Sequence, residues 1–317
     1  MPDGGLRPIS PHDDSEVADS EGDPGMEKDN VSPLILRRRL RTELLTARTK
    51  ENLTQQQVAE AMEWSLSKMN RIEKAKSGIS TNDLKALLRL YGITDKQRTE
   101  QLLALAREAR QSPWWRHYSD VAPAGLLELM DYESASSAIS QFETIFVPGI
   151  LQTEEYASAV LQVFYNEEST DKKSAEHVSR LVYLRTQRRG LLTSKDAPKF
   201  SFVLDESVIR RPVASPSIMS QQLQHLVSVA EQPNVTIQIV TFATGLYPGM
   251  KGPFEVVRFE DAPDEDIVFM EGPRGDFISD KPEETQVYLQ AFKRITDVSL
   301  SPSDSVKRLL KAASDLA

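Results

Sequence analysis

The sequence predicts two folded domains, an all-α domain at residues 33–111 and a mixed α+β domain at residues 112–317. Helix-capping signals recur through residues 32–97, whereas short β-branched and aromatic runs first occur near residue 200. The length of 317 residues, with 39% hydrophobic side chains, suits about two domains that each bury a core.

Residues 1–32 predict a disordered acidic tail. Asp, Glu, Ser, Pro and Gly dominate this segment, and its few apolar residues follow no period. Ordering such a segment costs conformational entropy with little apolar burial in return. Met26 is an alternative start, because the ordered pattern begins just after it.

Composition narrows the class of protein. The chain has no Cys, which excludes a disulfide framework and a thiolate metal site. No apolar run approaches the roughly 20 residues that span a bilayer, and the first residues do not follow the pattern of a signal peptide. A cytoplasmic protein without membrane contact is expected.

The net charge of −9 is unevenly distributed. Residues 1–33 carry two basic and nine acidic side chains, and residues 90–317 carry 24 basic and 32 acidic ones. Residues 34–89, in contrast, carry twelve Lys and Arg against six Asp and Glu, a net charge of +6. This local excess is typical of a surface that binds phosphate, although charge alone equally fits an ordinary solvated surface.

Five helices are expected in the first domain. Capping signals stand at Ser32-Pro33, Thr54–Gln57, Ser65, Ser80–Asp83 and Thr94–Gln97. They predict helices at about 33–52, 54–62, 65–74, 80–92 and 94–110. A Leu stripe marks the inner face of the first helix, which also carries Arg37, Arg38, Arg39 and Arg41.

The second and third helices have the spacing of a helix-turn-helix over residues 53–75. Ala59 is small where the helices cross, and the inward positions are Val58, Met62, Met69 and Ile72. Glu63 occupies the turn, where a left-handed backbone would cost about 1–2 kcal/mol. The alternative is a structural helical hairpin without a nucleic-acid partner.

The outward face of the third helix offers side chains that suit base edges in a major groove. Arg71 can bind guanine, Asn70 can bind adenine, and Leu66 can contact a thymine methyl. A helix N-terminus beside Gln55 suits a phosphate. The predicted DNA contacts are Gln55, Gln56, Leu66, Ser67, Lys68, Asn70, Arg71 and Lys74. One such unit makes few base contacts, so a homodimer on double-stranded operator DNA is expected.

The second domain begins at Ser112-Pro113, which interrupts the helical pattern, and Trp114, Trp115 and Tyr118 are expected to pack against this domain. Residues 123–195 look mainly helical. A small sheet of about four strands is expected at 200–204, 235–240, 254–259 and 267–270. Further helices are expected at about 216–231, 282–296 and 302–314.

The sequence of the second domain indicates that this domain binds a ligand or a partner rather than catalysing a reaction. The four His have no metal-ligand spacing, and phosphate-loop, dinucleotide and nucleophile-elbow motifs are missing. No catalytic residue, cofactor or metal is therefore expected. The candidate contacts for a small polar molecule, a peptide or a partner are Glu206, Arg210, Arg211, Tyr247, Glu271 and Arg274. The alternative is that Asp205 and Glu206 cap a helix or pair with Arg210 and Arg211.

Two stretches resemble a known family. Leu53-Thr-Gln55 through Arg71-Ile-Glu73 resembles the Xre helix-turn-helix family, the phage repressor and Cro-like group, over about residues 34–92. The resemblance implies that Gln55, Leu66, Ser67, Lys68 and Arg71 lie at the DNA-contact positions of that family. Glu63 and Ala75 depart from it, because the family usually has Gly at both places.

Strings in the second domain resemble the large C-terminal domain of many actinobacterial Xre-type regulators, sometimes described as antitoxin-like. They include Val147–Thr153, Phe202–Pro212, Pro233–Gln238, Pro248–Phe254 and Glu271–Pro273. The resemblance covers about residues 113–312 and implies a small partner protein encoded nearby and roles in sporulation or antibiotic production.

These observations predict a nucleoid-associated, dimeric transcriptional regulator controlled through its second domain. Two alternatives stay open. The first is an antitoxin-like protein whose main role is to sequester a small partner protein. The second is an enzyme domain fused to a DNA-binding domain, with Glu206 and Glu271 as its carboxylates.

Overall fold

The computed structural model describes residues 33–75, 77–165, 172–260, 266–272 and 275–316. The predicted disordered tail lies outside these ranges, as does the candidate contact Arg274. None of the helices described has the length and apolar content that crossing a membrane requires.

Five helices form the N-terminal domain, as the capping signals predict. They are α1 (Pro33–Lys50), α2 (Gln55–Ala61), α3 (Leu66–Glu73), α4 (Thr81–Leu90) and α5 (Lys96–Glu108). The capping box at Thr54 and Gln57 is present, and Ser65 accepts a hydrogen bond from the backbone N–H of Lys68. Inward residues of all five helices form one apolar core, which includes Leu44, Val58, Met69, Leu87 and Leu103.

One cap differs from the prediction. The carboxylate of Asp95, not the hydroxyl of Thr94, accepts the hydrogen bond from the backbone N–H of Arg98 at the start of α5. A carboxylate is the stronger cap because it also interacts favourably with the positive end of the helix dipole. The helix therefore begins one residue later than the Thr94 signal indicates.

The C-terminal domain mixes helices with one sheet. Its helices are α6 (Ala124–Glu133), α7 (Glu154–Tyr165), α8 (Lys172–Arg188), α9 (Glu206–Arg210), α10 (Pro216–Val229), α11 (Pro282–Asp297) and α12 (Pro302–Ser314). Its strands are β1 (Ala138–Glu143), β2 (Lys199–Asp205), β3 (Val235–Val240), β4 (Phe254–Arg258), β5 (Ile267–Met270) and β6 (Phe277–Ser279). The predicted α+β class is confirmed.

The sheet has six strands in the order β3-β2-β1-β4-β5-β6, so the expected count of about four was too low. The four predicted strands are β2 to β5, and the missed ones are β1 and β6. Residues 138–143 were expected to be helical, but they pair in parallel with β2 and antiparallel with β4. β6 has only three residues, which is too short to show a period.

Each face of the sheet packs against helices. One face carries Ile139, Phe202 and Ile237 into the larger core, which also holds side chains of α7, α10 and α12. The opposite face carries Phe142 and Val256 against α11. Carboxyl ends of the parallel strands β1, β2 and β3 meet at one edge of the sheet.

The aromatic segment after α5 packs as the sequence predicts. Trp115 is buried among side chains of α6, α7 and α8, with Trp114 and Tyr118 partly buried beside it. Its indole Nε1 donates to Asp131 Oδ1 at 2.9 Å, and Arg116 also pairs with Asp131. The segment therefore ties the end of the helical domain to α6.

Candidate functional site

The turn between α2 and α3 holds the two helices against each other. Val58, Ala59 and Met69 are buried at the crossing. Glu63 adopts the left-handed conformation at φ 55°, and the backbone N–H of Trp64 donates to Ala59 O at 2.8 Å. The turn thus forms where the sequence places it, with Glu in a conformation that usually favours Gly.

The outward face of α3 is open to solvent. Ser67, Arg71 and Lys74 are exposed, and Leu66 is 47% exposed. Asn70 is half-buried on the same helix. This face presents a guanidinium, a hydroxyl and an amide over a buried apolar inner face, which is the arrangement that reading a major groove needs.

Two of the side chains predicted to contact DNA, Lys68 and Gln56, interact with other side chains of the protein. Lys68 Nζ lies 3.0 Å from Asp83 Oδ2 and 4.1 Å from the centre of the Trp64 ring. Gln56 is exposed and donates to Glu60 Oε1 at 2.7 Å. Both pairs lie at the surface, where such contacts are weak and a phosphate can replace them.

Glu73 is buried and stabilises the packing of α1, α2 and α3, a role that was not predicted from the sequence. The carboxylate is 4% exposed and accepts from Arg48 Nε at 2.5 Å and from Gln55 Nε2 at 2.5 Å. Gln55, expected at a phosphate, therefore orients α2 on α3 in this structure. The available signal was the helical period, because Glu73 falls four residues after the buried Met69.

The arginines of α1 do not all face solvent. Arg38 is 4% exposed, and its guanidinium lies 3.5 Å from the centre of the Phe259 ring, just after β4. Burial lowers the pKa of Arg37, and the nearby Asp131 acts in the opposite direction. Part of the positive charge of residues 34–89 thus serves the contact between the two domains rather than a phosphate surface.

A second group of polar side chains lies inside the C-terminal domain. We call it the carboxylate cluster; it consists of Glu133, Gln141, Glu143, Arg188, Glu255 and Glu271. Arg188 Nε and Nη2 donate to the Glu133 carboxylate at 2.6 and 2.5 Å. Gln141 Nε2 donates to Glu143 Oε1 at 3.0 Å. Strand register brings these groups together, because Gln141 lies opposite Glu255 in the β1–β4 pair.

The electrostatics of the carboxylate cluster are dominated by burial. Burial and then the charge of Glu271 raise the pKa of Glu143 to about 8. Burial and then Glu133 raise the pKa of Glu255 well above its usual value, against the opposing effect of Arg188. Although burial lowers the pKa of Arg188, its pairing with Glu133 raises it on balance. Glu143 therefore keeps its proton near neutral pH, and burial favours the protonated form of Glu255 as well.

The raised pKa of Glu143 predicts lower stability at alkaline pH. The folded protein keeps a proton that the unfolded chain releases above its ordinary pKa of 4.5, so stability falls as the pH rises from about 4.5 to about 8. Glu143→Gln is expected to raise the melting temperature at pH 8.5 and to change it little near pH 5. Circular dichroism melts at both values test this, with Glu231→Gln, an exposed site, as the control. A gain independent of pH would contradict the assignment.

The predicted ligand contacts are divided between two places. Glu206 is 5% exposed and accepts from Arg210 Nε and Arg308 Nη1, both at 3.2 Å, and from the backbone N–H of Phe242. Tyr247 donates its hydroxyl proton to Asp205 Oδ2 at 2.5 Å, and Arg211 is exposed. These lie at the carboxyl end of β2.

Glu271 instead belongs to the carboxylate cluster, most of which sequence reasoning missed. The signal for Glu255 was a charged residue within the apolar run of β4. Among the residues that the structure describes, no group of His, Asp and Glu is arranged to hold a metal ion.

Two family models match the chain, one in each half. Residues 36–101 match a helix-turn-helix domain family, which supports a DNA-binding role for this part of the chain. Residues 126–311, more than half of the chain, match the domain of unknown function DUF5753. The chain belongs to the DUF5753 family. Searches of curated proteins and of solved structures gave no match.

Proposed function

We propose that this protein is a sequence-specific transcriptional regulator of Xre type that reads operator DNA with α3. The observation that carries the proposal is the exposed polar face of α3, with Ser67 and Arg71 above a buried apolar inner face. The positive charge of residues 34–89 adds sequence-independent attraction to phosphates. A protein that acts on chromosomal operators works in the cytoplasm, on the nucleoid.

The working form in this proposal is a homodimer. One α3 reaches only a few base pairs, whereas two copies that read half-sites about 34 Å apart give the specificity an operator needs. The exposed face of α3 leaves both copies free to enter successive major grooves of one duplex.

Control is proposed to pass from the C-terminal domain to α1. Arg38 lies on Phe259, and Tyr132 packs against the same ring with 6.4 Å between ring centres. A small partner protein, a metabolite or a peptide would act by binding the DNA-competent and DNA-incompetent arrangements with different affinities. Development and secondary metabolism are the processes that the family resemblance suggests for the genes controlled.

Binding rather than catalysis is proposed for the C-terminal domain. Asp205 caps α9, and Glu206 is held by two guanidinium groups and a backbone N–H. Carboxylates fixed in this way support the local fold and leave little capacity for proton transfer.

A second candidate function is that of an antitoxin-like protein that sequesters a partner protein. The observation in its favour is an exposed apolar loop after β3, in which Leu246 is 92%, Phe242 61% and Met250 60% exposed. Apolar exposure of this kind is typical of interaction surfaces. In that case the partner would co-purify stoichiometrically, and the function would survive loss of DNA contacts.

Arg71→Ala tests the DNA-binding proposal. Loss of one base contact is expected to weaken specific binding by about 1–3 kcal/mol and to relax specificity at one position. The operator is first selected from a random duplex library with the wild-type protein, and affinities are then measured by fluorescence anisotropy between about 50 and 200 mM salt, where affinity should fall steeply.

Arg107→Ala is the matched control, because it removes one positive charge from an exposed position on α5. It should leave the preferred sequence unchanged. Equal affinity and specificity of Arg71→Ala and wild type would show that α3 does not read the bases.

A further inference from the structure

Glu255 is a buried carboxyl group of the C-terminal domain whose oxygens have no hydrogen-bond partner among the described residues. Its side chain is on β4, and the residue is 2% exposed. Neither of its carboxylate oxygens has a hydrogen-bond donor among the residues that the structure describes. Burying a charge without partners is costly, so a buried carboxylate ordinarily has a donor, a counterion or a proton.

The groups around Glu255 include more carboxyl groups than guanidinium groups. Glu133 approaches it from α6, Arg188 from α8 and Glu143 from β1. Arg188 donates two hydrogen bonds to Glu133. Among the described residues, the carboxylate cluster thus holds four carboxyl groups and one guanidinium, so bound protons or one more cation can offset the remaining negative charge.

The cluster reaches the surface at one end. Strands place alternate side chains on the same face, so Glu143 follows Gln141 on the face of Glu255. Glu271 lies two residues beyond Phe269, the partner of Glu255 in β5, and therefore belongs to the same face. Glu271 is exposed, Glu143 is half-buried and Glu255 is buried, so the carboxylates lead from solvent into the domain.

We propose that the carboxylate cluster is a binding site for a small organic cation, an amine or a guanidine, held by Glu143, Glu255 and Glu271. An ammonium or guanidinium group supplies the donors that Glu255 lacks, and charge-assisted hydrogen bonds of this kind are the strong ones. An inorganic ion fits less well, because no group of carboxylates in the described chain is arranged to hold a metal.

Binding of the cation displaces a proton. Glu143, with a pKa of about 8, is mostly protonated at pH 7 in the free protein. The polar and charged groups around it are Glu271 beyond β5, Glu255 on β4, Gln141 on its own strand and Tyr156 on α7. A positive ligand stabilises the carboxylate form, so the proton leaves to solvent as the cation enters.

Helix α6 connects this site to the DNA-binding domain. Three successive residues at its end contact four partners: Asp131 contacts Trp115 and Arg116, Tyr132 contacts Phe259, and Glu133 contacts Arg188. The guanidinium of Arg38 on α1 lies over the Phe259 ring. Resting on the proposed function, we infer that cation binding shifts α6 and thereby changes DNA affinity.

Calorimetric titration of the full chain with putrescine and with agmatine tests the site directly, without DNA. Saturable one-to-one binding is expected at pH 7, with release of up to one proton, seen as a difference in heat between phosphate and Tris buffers. The control ligand is γ-aminobutyrate, in which a carboxylate replaces one amine of putrescine. It should bind at least about tenfold more weakly.

Glu143→Gln and Glu255→Gln should each weaken cation binding about tenfold or more, since each removes a charged acceptor. Glu231→Gln, exposed between α10 and β3, should leave binding unchanged. If Glu255→Gln does not fold, as judged by circular dichroism, Glu143→Gln decides. The proposal would be overturned if neither cation bound saturably up to about 10 mM, if both variants bound putrescine as tightly as the wild type, or if Mg²⁺ or Ca²⁺ displaced putrescine.

Operator affinity separates this inference from the proposed function. Arg71→Ala should keep full cation binding, because Arg71 lies on α3 and outside the cluster. If the wild-type protein binds the cation but selects no operator, the proposed regulatory function is wrong and the cation site remains supported. If the wild-type protein selects an operator but binds no cation, the proposed cation site is wrong and the proposed regulatory function remains supported.

Discussion

Replacing Glu73 with alanine is expected to destabilise the N-terminal domain by about 3–5 kcal/mol, because it breaks a buried ion pair and strands its partner. Arg48 is 15% exposed and directs Nε and Nη2 at the lost carboxylate. Gln55 loses its acceptor as well. The carboxylate thus ties α1 and α2 to the end of α3.

Operator binding should fail together with folding in this variant, although Glu73 faces away from the proposed DNA surface. Urea unfolding followed by circular dichroism measures the loss of stability, and anisotropy measures DNA affinity. Glu60→Ala is the control, since Glu60 is exposed on α2 and bonds only at the surface with Gln56. It should change the free energy of unfolding by no more than about 0.5 kcal/mol. A comparably small effect of Glu73→Ala would show that the pair does not hold the unit together.

The helical domain could be predicted because its signals are local. Caps at Thr54, Ser65 and Ser80 stand within three residues of the backbone groups that they satisfy, and all three form. The helical period then decides which side chains of α3 face outward. The direction of Glu73 was open to the same reasoning, but its partner Arg48 lies 25 residues away.

The sheet was harder to predict because its pattern depends on partners distant in sequence. β1 reads as polar at Ser140, Gln141 and Glu143, which alternation alone does not assign to a central strand. It is central because β2 and β4 pair with both its edges, and its polar side chains Gln141 and Glu143 hydrogen-bond to each other. The four strands rich in β-branched and aromatic residues carry their signal in themselves.

The carboxylate cluster was not predictable from spacing. Its members come from α6, β1, α8, β4 and the segment after β5, and no two of the four acidic residues stand closer in sequence than ten positions. Only the strand register and the packing of two helices on one face bring them together. The proposed DNA surface, in contrast, lies mainly on α3, and the outward face of that helix could be predicted from its own period.

Arg188→Ala is expected to destabilise the C-terminal domain by about 3–5 kcal/mol at pH 8, since it leaves the Glu133 carboxylate buried without its counterion. The two side chains are only 9% and 2% exposed. Glu133 and Glu255 would then face each other without a cation, which favours bound protons on this pair in the folded protein. The unfolded chain releases these protons at lower pH, so the destabilisation should shrink as the pH falls from 8 towards 5.5.

Denaturant unfolding at pH 5.5 and pH 8 measures this dependence. Arg211→Ala, at an exposed site on the same domain, is the matched control and should cost little at either pH. Adding Glu133→Gln to Arg188→Ala should restore part of the stability, because it removes the charge that the first change leaves unpaired. If Arg188→Ala were equally stable at both pH values, or if the double variant were no better than the single one, the guanidinium would not be compensating the cluster. The excess of buried carboxylate would then need another explanation, and with it the site proposed for an organic cation.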